Sequence, residues 1–258
     1  MKFDVYFVDA FTSEIFSGNP AAVIFSDLDD EVLMQKIAAE NNLSETAFVD
    51  LSNNNIRWFS PACEVNLCGH ATLASAFIYF NYFDTTNQSI AFNSASGELK
   101  VYKKDDYLEL DFPKDIYKQV DMIEVVESAT GAKPLETYLG DINLFAVYEN
   151  EEIISNINPD YSAVSKLEGQ GLIISSSSNQ YDFVSRYFCP KFGINEDPVT
   201  GSAHTTLIPY WSEKLSKDSL TAKQVSLRGG ELFCHNIKNR VLIGGKAVLY
   251  MKGLIEIS

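Results

Sequence analysis

The property that most constrains this chain is that it repeats itself. Arg57-Trp58-Phe59-Ser60-Pro61 returns as Arg186-Tyr187-Phe188-Cys189-Pro190, 129 residues later. Glu64, Gly69 and Ala71 return as Glu196, Gly201 and Ala203 at an offset of 132, and Gly97-Glu98-Leu99 as Gly230-Glu231-Leu232 at an offset of 133. A weaker pairing joins Asn19-Pro20-Ala21-Ala22-Val23 to Asn143-Leu144-Phe145-Ala146-Val147 at an offset of 124. Any one match is within reach of chance. Four in collinear order, at offsets near half of 258 residues, point to two copies of one fold.

The local patterns predict what each copy contains. Lys2 to Val8 is alternating and aromatic-rich, and Ala21 to Phe25 is an apolar run, so both read as strands. Asp30 to Glu40 reads as a helix that opens on acidic residues and shows Val32, Leu33, Ile37 and Ala38 on one face. Arg57 to Ser60 reads as a short strand stopped by Pro61. The second copy offers strands at Leu139 to Tyr148, Gly171 to Ser175 and Asp182 to Phe188. Each copy also carries a nearly charge-free segment after its glycine: Gly69 to Phe80, and Gly201 to about Trp211, where Pro209 predicts a kink. Short strands around two apolar helices give an α+β expectation of two pseudo-symmetric halves. Each half is expected to be a curved sheet wrapped on a central helix. The halves are expected at 1–120 and 121–258, divided within the charged stretch Asp115 to Lys133, with the active site in the cleft between them.

Composition narrows the partners. With 20 lysines and arginines against 35 aspartates and glutamates, the net charge is −15, which argues against nucleic acid and anionic membranes. Val65 to Phe83 lacks any Asp, Glu, Lys or Arg, but its Asn66, His70, Thr72, Ser75 and Asn81 suit a buried central helix better than a membrane span. Asp4 and Asp9 interrupt any secretory h-region, and four cysteines make no disulfide scaffold, so a reducing cytoplasm is expected.

The duplication also suggests chemistry. Cys68-Gly69-His70-Ala71 and Thr200-Gly201-Ser202-Ala203 each open an apolar helix with small residues. Helix N-termini carry free N–H donors, so two such ends facing one cavity would hold a carboxylate or an enolate-like oxygen. Tight packing at a helix start explains either glycine alone equally well. Glu45 stands as a single carboxylate among small polar and apolar residues, where its pKa would be raised and suited to proton transfer; Asp197 stands just before the second helix. A surface charge and a helix cap are the plain alternatives. His70, His204 and His235 lack metalloprotease spacing, and Cys63, Cys68 and His70 have no evident fourth donor, so no metal is expected. Phosphate-loop, dinucleotide and nucleophile-elbow motifs are missing from the sequence. Arg228-Gly229-Gly230 reads as a basic turn able to close over an anion, or as a plain hairpin.

At these residues the chain resembles the phenazine-biosynthesis PhzF-like family of the diaminopimelate epimerase-like superfamily. The resemblance rests on Val8-Asp9-Ala10-Phe11-Thr12, Gly18-Asn19-Pro20-Ala21-Ala22-Val23, Asn42-Leu43-Ser44-Glu45-Thr46-Ala47-Phe48 and Arg57-Trp58-Phe59-Ser60-Pro61 with Glu64. It continues through Leu67-Cys68-Gly69-His70-Ala71-Thr72 and Glu196-Asp197-Pro198-Val199-Thr200-Gly201-Ser202-Ala203. It implies a diaminopimelate epimerase-like fold, each half a barrel-like, mostly antiparallel sheet around a central helix, and a cofactor-independent isomerase, commonly a homodimer, that shifts a proton on a small carboxylated metabolite; the family's type reaction is isomerisation of dihydro-3-hydroxyanthranilate. By motif, Glu45 would remove and redeliver the proton. His70, Asp197 and Ser202 would hold polar groups of the substrate and assist. Gly69 and Gly201 would lend backbone amides, with Ser44 and Ala71 counted among the substrate-binding positions.

Two other readings stand beside it. Superfamily racemases and epimerases use two thiols, and Cys68 occupies such a place, but its repeat-mate Thr200 is no thiol base. A variant using Glu45 and Cys68 stays open. The third reading is a small-molecule binding protein without turnover.

Overall fold

The computed structural model describes residues 1–257. No helix among them is long and apolar enough to cross a membrane. The described residues fall into two compact units, Met1–Asp111 together with the C-terminal segment from Gly244, and Phe112–Ile243.

In the first unit the aromatic-rich run Lys2–Ala10 forms β1, antiparallel to β2 (Asn19–Phe25). Helix α1 (Glu31–Asn41) then carries the chain over to β3 (Glu45–Asp50), parallel to β2. Asp30 caps α1 by accepting from the Leu33 amide at 3.1 Å, and Asn42 closes it in a left-handed conformation at φ 49°. The buried face of α1 is Met34, Ile37 and Ala38, packed with Val5, Ile24 and Phe48. Val32, expected on that face, is 64% exposed, because the helix turns Met34 inward instead. Strand β4 (Asn55–Phe59) lies antiparallel to β3 and pairs with the short β5 (Glu64–Val65). Then come α2 (Gly69–Ile78), β6 (Ser89–Ser94) parallel to β4, and β7 (Gly97–Lys103) and β8 (Leu108–Pro113) in antiparallel succession.

Helix α2 is the charge-free segment read from the sequence. Eight of its ten residues are buried, from His70 to Ile78, and it packs on β1, β2 and β3. A π-helical turn, Tyr79–Phe83, extends it: Phe80 is buried, while Asn81, Tyr82 and Phe83 are exposed. A helix apolar on all sides needs a buried setting, since every face must leave water.

The second unit repeats the order of pairing. Residues 115–133, expected to hold the division, contain β9 (Lys118–Gln119) and α3 (Ile123–Thr130), and the units part instead at residue 112. The single strand expected over Leu139 to Tyr148 is a hairpin, β10 (Glu136–Leu139) and β11 (Leu144–Val147), with a polar turn around Gly140. Helices α4 (Glu151–Asn156) and α5 (Tyr161–Val164) lead to β12 (Leu172–Ser177), parallel to β11. Strand β13 (Phe183–Phe188) is antiparallel to β12. Helix α6 (His204–Leu215) precedes β14 (Ser219–Gln224), parallel to β13, and β15 (Gly230–Ile237), antiparallel to β14; β16 (Arg240–Gly245) follows.

Both units therefore run antiparallel, parallel, antiparallel, parallel, antiparallel, with a helical crossover at each parallel step. All four sequence matches fall on equivalent elements: β2 with β11, β4 with β13, the starts of α2 and α6, and the first residues of β7 and β15. The fold is α+β with a mixed, mostly antiparallel sheet that is not closed. The last strand, β17 (Ala247–Glu256), belongs to the first unit, where it pairs antiparallel along all of β1 from Lys2 to Ala10. A linear division near residue 120 misses this return, since nothing local to either strand announces the other.

Candidate functional site

The repeated Arg and Glu residues form the same structure twice. In the first unit Arg57 donates from Nε to Glu64 Oε1 at 2.7 Å and from Nη2 to Oε2 at 2.7 Å, with its guanidinium 5.1 Å from the Phe59 ring centre. In the second, Arg186 donates from Nε to Glu196 Oε1 at 2.7 Å and from Nη2 to Oε2 at 2.9 Å, 4.8 Å from the Phe188 ring centre. Each clamp ties the strand before the central helix to the segment that leads into that helix. The repeat thus preserves a bidentate, ring-stacked pair, for which lysine would be no substitute.

The first unit gathers the sequence-predicted residues Glu45 and His70. Glu45 opens β3, with its backbone beside Ala21 of the parallel strand β2. His70 is the second residue of α2 and is 5% exposed. Its Nε2 lies 3.2 Å from Glu45 Oε2. Burial lowers the His70 pKa from its ordinary value to about 3, which disfavours a charged imidazolium, so the contact is a hydrogen bond between Nε2 and the Glu45 carboxyl group. The Glu45 side chain is 20% exposed, so it reaches both the buried ring and solvent. Its neighbour is this imidazole, where the sequence showed only small polar and apolar residues around it. The other ring nitrogen, Nδ1, lies 3.2 Å from Asn19 Nδ2, and Asn19 is fully buried at the start of β2. Cys68 Sγ lies 3.5 Å from Nδ1 and 3.9 Å from Nε2.

Glu45, Cys68 and His70 form the one group of three potential metal donors among the described residues, within 4.8 Å of one another. The carboxylate lies 3.2 Å from Nε2, while the thiol is 3.5 Å from Nδ1 and 3.9 Å from Nε2. The arrangement is that of a hydrogen-bonded acid–base group. Helix α2 starts with no side-chain cap, and Gly69 and Ala71 share its first turn with His70. Amides of that turn have no intrahelical acceptor, so they suit an anionic group. Ser44, next to Glu45, is half-buried.

The second unit holds Asp197, Gly201 and Ser202. Asp197 is 9% exposed, and its Oδ2 accepts a short hydrogen bond from the Thr200 hydroxyl. Gln224, fully buried on β14, fastens this loop: Nε2 donates to the Asp197 carbonyl at 2.7 Å and to Thr200 Oγ1 at 3.1 Å, and Oε1 accepts from the Thr200 amide at 2.9 Å. Thr200, the repeat-mate of Cys68, is thus a hydroxyl committed to Asp197. Helix α6 begins at His204, three residues after Gly201. Its entry is a tight turn in which the His204 amide bonds the Gly201 carbonyl and the Thr205 amide that of Ser202. His204 Nδ1 donates to the Thr200 carbonyl at 2.8 Å, and burial lowers its pKa to about 4. Pro209 lies within α6, which continues to Leu215. The Arg228-Gly229-Gly230 turn is stitched to the Asp197 loop: Ser226 Oγ donates to the Pro198 carbonyl at 2.7 Å and accepts from the Gly229 amide at 3.1 Å.

Sequence reasoning missed Asn19 and Gln224. Asn19 carried a signal, as the first residue of a repeated segment whose mate Asn143 is also buried and accepts from the Tyr187 hydroxyl at 2.9 Å. Gln224 carried none, being one polar residue in an alternating strand.

The model of the family described as "Phenazine biosynthesis-like protein" matches residues 8–253. An uncharacterised isomerase of Pseudomonas aeruginosa is 47% identical, over 100% of both chains. A crystal structure of a phenazine biosynthesis PhzF family protein from Enterococcus faecalis superposes with a TM-score of 0.97 at 48% identity, again over 100% of both chains. A Pseudomonas aeruginosa protein described as a predicted epimerase shares the fold at a TM-score of 0.79 and 19% identity, over 99% of this chain and 100% of that one.

Proposed function

The chain belongs to the phenazine biosynthesis-like family, and within it we propose a cofactor-independent isomerase that moves a proton between carbons of a small carboxylated metabolite. One observation carries the reading: a half-buried carboxylate, Glu45, hydrogen-bonded to a buried neutral imidazole at the uncapped start of a helix. The isomerase names of full-length relatives support it at the level of reaction class.

The steps balance without a redox partner. The Glu45 carboxylate takes a C–H proton, and the electron pair left on carbon moves into the substrate's conjugated system. The resulting carboxylic acid returns the proton to a second carbon of that system, and the carboxylate is restored. A positioned acid–base group of this kind contributes about 10²–10⁴-fold. His70 donates from Nε2 and so stabilises Glu45 whenever it is ionised. The amides of Gly69, His70 and Ala71 are offered to the substrate's carboxylate. Asp197, oriented by Thr200 and Gln224, and the Ser202 hydroxyl are the second unit's candidate polar groups.

A second reading has a specific observation behind it. The Cys68 thiol lies 3.5 Å from His70 Nδ1, so a carboxylate and a thiol flank one imidazole, and together they could exchange the hydrogen of a stereocentre.

A screen of small carboxylated metabolites in deuterated water tests the proposal. Deuterium uptake with a change of double-bond position is expected. Uptake with inversion of a stereocentre would select the second reading, and binding without any uptake would overturn both in favour of a binding protein.

A further inference from the structure

We propose that Asn19 is the positioning residue of the Glu45 site: by donating from Nδ2 to Nδ1 of His70, it holds the imidazole as its neutral Nε2–H tautomer, a fixed donor to Glu45 that does not itself carry the transferred proton. The part this plays in turnover rests on Glu45 being the proton-transfer group. The tautomer itself does not.

Donor and acceptor parity around the ring sets the tautomer. Three groups face the ring from three elements: Asn19 of β2, Glu45 of β3 and Cys68 at the N-cap of α2. An ionised carboxylate only accepts, so the nitrogen 3.2 Å from Glu45 Oε2, Nε2, must bear a hydrogen. A neutral ring then leaves Nδ1 with a lone pair, which needs a donor. The Asn19 amide nitrogen stands 3.2 Å from it, and the Cys68 thiol can add a weak S–H at 3.5 Å. Turning the Asn19 amide over would put its oxygen on Nδ1 and require Nδ1–H. The bare Nε2 lone pair would then face a carboxylate oxygen. With Glu45 ionised and the buried ring neutral, only one arrangement gives every close pair one donor and one acceptor.

The consequence is local and chemical. A second proton on His70 would have to enter at Nδ1, against an N–H already aimed there. The ring therefore cannot share the proton that Glu45 collects, and Glu45 delivers it. Full burial of Asn19 leaves its amide little freedom to turn away. The same donor that fixes the tautomer also fixes ring orientation, as second partners of catalytic imidazoles commonly do.

The spectroscopic test needs no substrate. The chain has three histidines, so long-range ¹H–¹⁵N correlation on ¹⁵N-histidine-labelled protein resolves each ring, with His70→Gln giving the assignment. His204 is a built-in reference of the opposite kind, because its Nδ1 donates to the Thr200 carbonyl. The expected spectrum shows His70 as Nε2–H and His204 as Nδ1–H in one sample at neutral pH. In Asn19→Asp the carboxylate created at position 19 demands a donor, and His70 is expected to carry a proton on Nδ1. An Nδ1–H or doubly protonated His70 in the wild-type chain overturns the proposal. So does an unchanged His70 pattern in Asn19→Asp that keeps the His204 signal. If that variant loses the His204 signal it has not folded, and the wild-type spectrum alone decides. A fixed Nε2–H tautomer with no loss of substrate exchange in Glu45→Gln would leave the tautomer standing and remove the reading of Glu45.

Discussion

The two Arg–Glu clamps repeat one motif but should be worth different amounts, and the difference follows from burial. Arg186 uses four donors: two on Glu196, and Nη1 on the carbonyls of Ile154 at 3.1 Å and Ile157 at 2.6 Å. Its side chain is 12% exposed and that of Glu196 17%. Arg186→Ala would leave a nearly buried carboxylate without its cation and two carbonyls without their donor, at a cost of about 3–5 kcal/mol. Arg57 has Glu64 at 33% exposure and Glu31 at 69% as partners, with no backbone carbonyl among the described residues. For Arg57→Ala we expect about 1–2 kcal/mol, from a partly screened pair and a ring contact. Urea unfolding can read the units separately, because the two tryptophans divide between them: Trp58 lies in the first and Trp211 in the second. Single-tryptophan backgrounds then report each transition, and double-mutant cycles with Glu64→Gln and Glu196→Gln isolate the pair itself. An Arg57 coupling equal to or larger than that of Arg186 would refute the ranking by burial.

Three further outcomes follow from the same geometry. His70 and His204 are held neutral, with pKa values lowered to about 3 and about 4, while the unfolded chain protonates both near the ordinary value of 6.5. Between about pH 4 and 6.5 the unfolded state therefore binds more protons, and stability should fall as pH drops, by up to about 2.7 kcal/mol per pH unit from the pair; a flat profile in urea titrations over this window would contradict their neutrality. Gly18 sits at φ +66° with the position of an added Cβ 2.2 Å from the Ala10 carbonyl oxygen, so Gly18→Ala should cost at least about 1–2 kcal/mol and displace the adjacent Asn19, and unaltered urea stability would speak against it. Cys68→Ser should keep most of the solvent exchange of the wild-type chain, and complete loss would restore the thiol as a base.

Much of this was legible in the sequence because duplication leaves paired marks. Arg57 with Glu64 and Arg186 with Glu196 were visible as repeated letters before they were visible as clamps. Glu45 and His70 were picked separately, 25 residues apart, and their hydrogen bond followed once the β2–β3 crossover and the start of α2 were in place. What stayed hidden depends on long-range pairing. β17 returns to β1 across almost the whole chain, and its exposed, irregular pattern gave no sign of a partner. Residues 115–133 read as a charged divide, yet Val126 and Ala129 on α3 are buried in the second unit's core. Gln224 organises the Asp197 loop from a strand whose alternation predicts only that some residue there will be buried. Satisfying a loop's backbone is a property of the folded neighbourhood, which a one-dimensional pattern does not encode.

Everything proposed about turnover passes through one carboxylate, so its replacement is the sharpest measurement. Glu45→Gln keeps the size of the side chain and an oxygen for His70 while removing the ability to accept a proton. With any metabolite that takes up deuterium on the wild-type chain, the variant should lose exchange by at least about 10²-fold and hold its affinity within a few-fold. Exchange at the wild-type rate in Glu45→Gln would contradict the account.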